Sequence, residues 1–174
     1  GEWQKDLKQY CDETGIEFMS TPFDEKAVDE LVNLKVKRLK ISGFESTDFR
    51  FVEMVASSKL PLVISLGIGF QMNNLGKLFN IASKHGNEIS FMHCNNAYPT
   101  PIQDAGIDIV RQHAKDTRYK WGLSDHTESP FTPALEVPEG AKIIKNHLRK
   151  KSHKQINLVL TKLKINTKRL RFQN

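Results

Sequence analysis

The sequence is poor in cysteine and has no long apolar run. It contains two cysteines, Cys11 and Cys94, without CxxC spacing. A disulfide framework is therefore not expected, and a reducing, cytoplasmic location fits better. No run of about 18 apolar residues occurs, so no membrane span is expected. Residues 1–5 lack both a Met and a signal-peptide stretch, and we interpret them as a cut or processed start.

Acidic residues are absent from the last part of the chain. Residues 148–174 hold nine of the 26 lysines and arginines and no aspartate or glutamate. The first 147 residues carry a net charge of −3, from 17 basic and 20 acidic side chains. The formal net charge of +6 therefore belongs to the tail, and the body lacks the charge of a nucleic-acid binder. The pattern of the tail leaves a short helix or disorder open.

Six apolar runs of strand length recur along the body, at intervals of roughly 20 to 30 residues. They are residues 16–19, 38–41, 62–65, 89–92, 119–123 and 141–144. Helical patterns fill the gaps, and the weakest covers residues 129–139, where three prolines interrupt it. This alternation predicts an α/β fold with a parallel sheet, without distinguishing a barrel from a doubly wound sheet. Six strands also fall short of a closed eight-stranded barrel.

Two polar blocks stand where predicted strands end. They are residues 93–101, HCNNAYPTP, and residues 122–127, GLSDHT. Strand ends are where repeated βα proteins place their chemistry. Buried polar residues cost stability, so these blocks indicate a functional site. Cys94 is either a nucleophile or, as is commoner for this residue type, a small buried thiol.

His126 and His147 are the candidate metal ligands. Each would lie at the end of one of two neighbouring strands, so their imidazoles would converge at one rim of the sheet. Two imidazoles with water suit a divalent transition ion better than Mg²⁺ alone. The alternative is that two of the six histidines fall at strand ends by chance. His85 and His113 are interpreted as residues on helix surfaces.

Lys40 lies inside an otherwise apolar strand, where it is either exposed at an edge or directed at an anion. Thr21, Ser65, Asn96 and Ser124 each stand at or just past the end of a predicted strand. Hydroxyls and an amide around one ammonium make a phosphate or carboxylate site. Strand-end capping and turn formation favour the same residue types and are the alternative at each position.

Two further residues each have two alternative roles. Glu45 is either a general base or hydroxyl acceptor, or a solvated loop acid. Tyr98 either lines a substrate cavity or packs its own loop.

Six segments in this order resemble the sialic acid synthase family, phosphoenolpyruvate-dependent enzymes that make N-acetylneuraminate, legionaminate and pseudaminate. The two polar blocks are the most specific, and the other matching segments are residues 15–23, 39–45, 61–67 and 140–147. The resemblance covers about residues 3–147. It implies an incomplete (β/α)₈ TIM barrel of about six parallel strands over residues 1–147, followed by a basic tail over residues 148–174.

The resemblance also implies an activity and a site. The activity is the condensation of phosphoenolpyruvate with an N-acetylated hexosamine, such as N-acetylmannosamine, with release of phosphate. The residues that would bind phosphoenolpyruvate are Thr21, Lys40, Ser65, Asn96 and Ser124. Those that would hold a divalent metal, Mn²⁺ first and Mg²⁺ or Co²⁺ as alternatives, are His126 and His147. The candidate catalytic side chains are Glu45, Tyr98 and Asp125.

One departure from the family weighs against full activity. Lys145 stands where the family has an acid, two residues before the second metal histidine. We therefore expect weak metal binding and weak or no synthase activity. A non-catalytic module that keeps the anion site is the alternative, and nucleic-acid binding through the tail ranks last. Family members are homodimers, so the resemblance implies a dimer.

Overall fold

Five parallel strands form a curled half-barrel in the computed structural model, which describes residues 2–146 and 160–161. The strands are β1 (Leu39–Ile41), β2 (Leu62–Leu66), β3 (Ile89–Cys94), β4 (Lys120–Ser124) and β5 (Ile143–Lys145). Their order in the sheet follows their order in the chain, so each strand pairs with the next. The predicted α/β fold, an incomplete barrel, is confirmed.

Helices alternate with these strands. They are α1 (Glu2–Glu13), α2 (Glu25–Asn33), α3 (Phe49–Ala56), α4 (Leu75–His85), α5 (Ile107–His113) and α6 (Thr132–Glu136). Local capping sets several of their ends. The Asp24 side chain accepts from Ala27 N at 2.7 Å at the start of α2, and Asp48 caps α3 in the same way. Gly86, with a φ of 76°, ends α4 in the left-handed conformation.

Two segments differ from the sequence expectation. Residues 16–19 are not a strand: one backbone hydrogen bond, from Lys40 N to Ser20 O at 3.2 Å, joins this region to β1, whereas a strand needs a repeated ladder. At the other end, Leu160–Thr161 forms a short strand, β6, antiparallel to β5, where a helix or disorder was expected.

Hydrophobic side chains form two clusters on opposite faces of the sheet. The larger lies between the strands and the helices and includes Leu39, Ile64 and Trp121. The smaller comprises Val63, Met92 and Ile143, with Met19 packed against it. Because side chains alternate along a strand, these clusters define an outer face toward the helices and an inner face away from them.

The β4–β5 pairing depends on Gly122. This residue pairs with Ile143, and a Cβ built on it would lie 1.9 Å from the Ile143 carbonyl oxygen. A backbone oxygen cannot move aside as a flexible side chain can. The strand can therefore carry only glycine at this position.

We predict that Gly122→Ala lowers the free energy of unfolding by about 2 kcal/mol or more, because the added methyl group forces β4 and β5 apart. Urea unfolding followed by circular dichroism measures this. Gly76→Ala is the matched control, since a Cβ at Gly76 in α4 meets nothing within 4 Å. That change should raise stability by about 0.5 to 1 kcal/mol. Equal effects of the two substitutions would contradict the role given to Gly122.

Glu136, at the end of α6, is a fully buried acid. Neither carboxylate oxygen has a hydrogen-bond partner within residues 2–146. Its pKa is raised from 4.5 to about 7, chiefly by burial and further by the nearby charges of Asp125 and Glu139. The folded chain thus holds this proton more tightly than the unfolded chain. Below pH 4.5 the group is protonated in both states and does not lower the free energy of unfolding. As pH rises from 4.5 through about 7, the free energy of unfolding falls, because the unfolded chain releases the proton more readily.

We predict that this group lowers the free energy of unfolding by about 3 kcal/mol between pH 4.5 and pH 8, and that Glu136→Gln removes this part of the pH dependence. Urea midpoints measured at both pH values for each variant test this. Glu13→Gln, which changes an exposed carboxylate on α1, should leave the pH dependence of the original chain in place. A Glu136→Gln chain with the original pH dependence would refute the assignment.

Candidate functional site

The carboxyl ends of β3, β4 and β5 place three polar side chains in one row. Cys94 pairs with Ser124, and Ser124 pairs with Lys145. Cys94 lies two residues after Met92 of the inner cluster, so alternation turns it to the inner face, and its row partners share that face. The row therefore combines a thiol, a hydroxyl and an ammonium at one edge of the sheet.

Lys40 and Ser65 lie on the same inner face. Lys40 pairs with Val63 of the inner cluster, and Ser65 follows Val63 by two residues. Ser65 is fully buried, and its Oγ has no hydrogen-bond partner in the part of the chain that the structure describes. A buried hydroxyl without a partner is costly, so its presence beside a lysine points to a ligand.

The two lysines of the inner face influence each other. The pKa of Lys145 is lowered to about 8, first by burial and then by the Lys40 ammonium. Burial also lowers the pKa of Lys40, against the opposing effects of Cys94 and Glu45. Two partly desolvated ammonium groups close together repel each other and attract an anion. The inner face is therefore built to receive negative charge.

Glu45 and Thr21 lie on either side of β1. Glu45 begins a 3₁₀ turn just after β1, accepts a hydrogen bond from the Ser42 hydroxyl and acts electrostatically on Lys40. Thr21 is half-buried and follows Ser20, whose carbonyl accepts from Lys40 N. Glu45 is thus within electrostatic reach of the β1 lysine, and Thr21 follows the residue whose carbonyl meets the Lys40 backbone.

Asn96 connects the loops after β2 and β3. Its Oδ1 accepts from Ile68 N at 3.1 Å, and a Cβ built on Gly67 would lie 2.2 Å from this oxygen. Gly67 is therefore needed for Asn96 to reach across. The amide is fixed beside the end of β2, which carries Ser65.

His126 is buried after β4, and its ring is held at both nitrogens. Nδ1 lies 2.6 Å from the Asn95 carbonyl oxygen, which can only accept, so Nδ1 carries the proton in the neutral ring. Nε2 lies 3.0 Å from the Tyr98 hydroxyl and 3.3 Å from Ser124 Oγ. The Tyr98 ring also stacks on the imidazole, with centroids 4.0 Å apart.

This arrangement fits a metal ligand at one position. A histidine that donates one ring N–H to a carbonyl presents its other nitrogen for coordination, as Nε2 of His126 does. The second predicted ligand, His147, lies outside the described residues. Within the described ranges, no three His, Cys, Asp or Glu side chains form a metal-binding group. Of the two predicted metal ligands, the described residues therefore include His126 alone.

Asp125 is buried, and its contacts are those of a positioning residue. Its Oδ1 accepts from Thr127 N at 2.8 Å, and its Oδ2 accepts from Asn146 Nδ2 at 3.2 Å. Its own backbone N donates to Lys145 O at 2.7 Å. The carboxylate thus fixes the turn that carries His126 and contributes to the field at Lys145.

Sequence reasoning underrated two residues of this site. Cys94 was interpreted as a buried thiol, which is confirmed, but its place in a row with Ser124 and Lys145, where both Lys40 and Lys145 act on it electrostatically, was missed. Lys145 was noted only as a departure from the family, and its electrostatic interaction with Lys40 was missed. Period-two alternation along β3 and β5 was the available signal. His113, interpreted as a surface residue, stacks instead on Trp121.

No helix within residues 2–146 is long and apolar enough to cross a membrane.

Comparisons with known proteins identify relatives of the chain. The chain is 37% identical over 145 residues to the N,N'-diacetyllegionaminic acid synthase of Legionella pneumophila, covering 81% of this chain and 41% of that protein. It is 28% identical to the N-acetylneuraminate-9-phosphate synthase of Mus musculus, covering 83% of this chain and 40% of that protein. The chain thus spans about two fifths of the length of these relatives.

A solved structure shows the same fold. The crystal structure of N-acetylneuraminic acid (sialic acid) synthetase from Leptospira borgpetersenii, in complex with citrate, matches with a TM-score of 0.76 and 26% identity. The match covers 82% of this chain and 50% of that one. A model of the NeuB family matches residues 1–159. The chain therefore belongs to the NeuB family, whose relatives include the legionaminic, pseudaminic and sialic acid synthases.

Proposed function

We propose that this chain is the part of a nonulosonic acid synthase that binds phosphoenolpyruvate and condenses it with an N-acetylated hexosamine such as N-acetylmannosamine. The observation that carries the proposal is the inner face, which holds Lys40 and Lys145, acting on each other electrostatically, and a Ser65 hydroxyl without a hydrogen-bond partner among the described residues. Family membership supports the reaction class. In this proposal residues 1–147 are the partial barrel and residues 148–174 a separate basic tail.

Phosphoenolpyruvate matches the charge of the inner face. Its phosphate and carboxylate would offset two ammonium groups that otherwise repel each other. The residues assigned to it are Thr21, Lys40, Ser65, Asn96 and Ser124. The Ser65 hydroxyl would gain in the complex the hydrogen bond that it lacks among residues 2–146.

The sugar would lie beside Tyr98 and Glu45, toward the loops that follow β3 and β1. C3 of phosphoenolpyruvate attacks the aldehyde carbon of the open-chain sugar, water adds at C2, and phosphate leaves by cleavage of the C–O bond. Glu45 is the candidate base and hydroxyl acceptor, while Asp125 fixes the His126 turn. Positioning and electrostatics supply most of the rate.

His126 and His147 would hold the divalent ion, with Mn²⁺ favoured over Mg²⁺ or Co²⁺. When bound, such an ion supplies Lewis-acid polarisation of the sugar aldehyde. The Asn95 carbonyl orients His126 for this role, and the Tyr98 hydroxyl now at Nε2 would turn to the sugar. A homodimer is part of the proposal, as in the family.

We predict that Lys40→Met weakens phosphoenolpyruvate binding about tenfold or more, because a charge-assisted hydrogen bond to a buried anion is lost. Isothermal titration calorimetry with phosphoenolpyruvate measures the affinity. Lys37→Met, which removes an exposed lysine of the same segment, is the matched control and should bind normally. Normal binding by the Lys40→Met chain would remove the anion site from the inner face.

We also predict that the chain alone releases phosphate from phosphoenolpyruvate and N-acetylmannosamine far more slowly than an intact relative, because it spans about two fifths of such a protein. A phosphate-release assay with and without Mn²⁺ tests this, and the Legionella pneumophila relative is the positive control. Release at a comparable rate would overturn the prediction.

A second function is favoured by Lys145. Its ammonium strengthens anion binding, yet its charge opposes a divalent ion at the neighbouring histidines. The chain would then be a non-catalytic module that binds anions. Two results together would select this function over the synthase. The chain would bind phosphoenolpyruvate with the same affinity with and without Mn²⁺, and it would show no turnover when the sugar substrate of an intact relative is added.

A further inference from the structure

A cavity lies at the carboxyl ends of β2 and β3, mainly on the outer face of the sheet. It measures about 1040 Å³ and opens between the loop after β2 and helix α5. From the strands it is lined by Leu66, His93 and Trp121, which face outward, and at the end of β3 by Cys94: Leu66 and Trp121 belong to the outer cluster, and Leu66 pairs with His93. Small-molecule sites in proteins have volumes of about 300 to 1,000 Å³.

The floor of this outer cavity carries an unused hydrogen-bond donor. Trp121 is 2% exposed, and its Nε1 has no hydrogen-bond partner in the described part of the chain. An indole N–H can only donate, so a ligand must bring an acceptor to satisfy it. The His113 ring stacks on Trp121, with centroids 4.5 Å apart and planes at 20°. Together the two rings give the cavity a flat wall.

The two imidazoles that line this cavity are uncharged. Burial lowers the pKa values of His93 and His113 below their ordinary value, and each of the two rings is thus neutral at pH 7. The wall also includes apolar side chains, among them Phe70 and Ile107. A ligand that lies here keeps its apolar ring against apolar and aromatic neighbours.

The mouth of the cavity disfavours anions. Asp104 and Asp108 are both exposed there. The cation beside them, Arg111, is already paired with Glu139, through Nη2 at 3.0 Å, and with Asp108 at 3.5 Å. A phosphate or dicarboxylate would therefore meet uncompensated carboxylate charge. This chemistry is the opposite of that on the inner face.

We propose that the outer cavity binds a small, uncharged, planar heteroaromatic molecule whose carbonyl or ring acceptor takes the Trp121 indole N–H. The occupant would also contact the loop after β3, whose residue Asn95 lines the cavity and orients the His126 ring. Asn95 donates through Nδ2 to Asp104 O at 3.1 Å and accepts His126 Nδ1 on its own carbonyl. Gly106 of the same loop lies so close to His93 that a Cβ would come within 2.1 Å of its Nε2.

The test uses nicotinamide as the probe, because it is neutral, planar and carries an amide carbonyl. The chain has two tryptophans, Trp3 and Trp121, and Trp3 is exposed on α1. In a ¹⁵N-labelled chain, nicotinamide at millimolar concentrations should shift the Trp121 indole signal saturably and leave that of Trp3 in place. The Trp3→Phe chain assigns the two signals. An unmoved Trp121 signal, or both signals drifting linearly, would overturn the proposal.

Trp121→Phe tests the hydrogen bond itself. The change keeps an aromatic ring and removes a donor that the described residues leave unpaired, so folding should persist. Ligand-observed NMR should show nicotinamide binding weakened about fivefold, the loss of one hydrogen bond, while the Trp3→Phe control binds as the original chain does. Phosphoenolpyruvate should not displace the probe. Equal affinity in both variants, or displacement by phosphoenolpyruvate, would refute a separate site.

Discussion

The parallel register of β3, β4 and β5 is the constraint on which the site depends. It aligns Cys94, Ser124 and Lys145 in one row, and a slip of one residue in any strand would turn its member of the row to the helices. The register of the last pair is secured by Gly122, where the backbone of β5 approaches too closely for any side chain. The positions of the polar side chains at the strand ends therefore depend on the backbone pairing of the strands that carry them.

The fold could be predicted largely because buried parallel strands are nearly continuous apolar runs. Residues 62–65 and 89–92 are such runs, and both lie in strands. Residues 16–19 are also largely apolar, yet a strand is defined by a ladder of hydrogen bonds to a partner strand. Here the neighbouring Ser20 carbonyl accepts a single backbone hydrogen bond from β1. Leu160–Thr161 shows the converse, since two residues too short to have a pattern become a strand by pairing with β5.

The site was predictable in its residue types and less so in its contacts. A lysine inside an apolar strand gave Lys40, and polar residues at strand ends gave Ser65 and His126. The structure places each of them at the carboxyl edge or on the inner face. What the sequence does not contain is the distance between strands. Lys145 was therefore judged only by the acid it replaces, while its closeness to Lys40 follows from strand register and sheet curvature.

The sheet separates two kinds of binding chemistry that share one loop. On the inner face, two half-buried ammonium groups raise the free energy of the empty site, and an anion that pairs with both lowers it. On the outer face, neutral imidazoles and an indole N–H that residues 2–146 leave without a partner select an uncharged acceptor. Asn95 contacts both sides, through its amide to the Asp104 loop and through its carbonyl to His126. A ligand in the outer cavity that moves the Asp104 loop would thus alter the orientation of the His126 ring, since the same residue sets both.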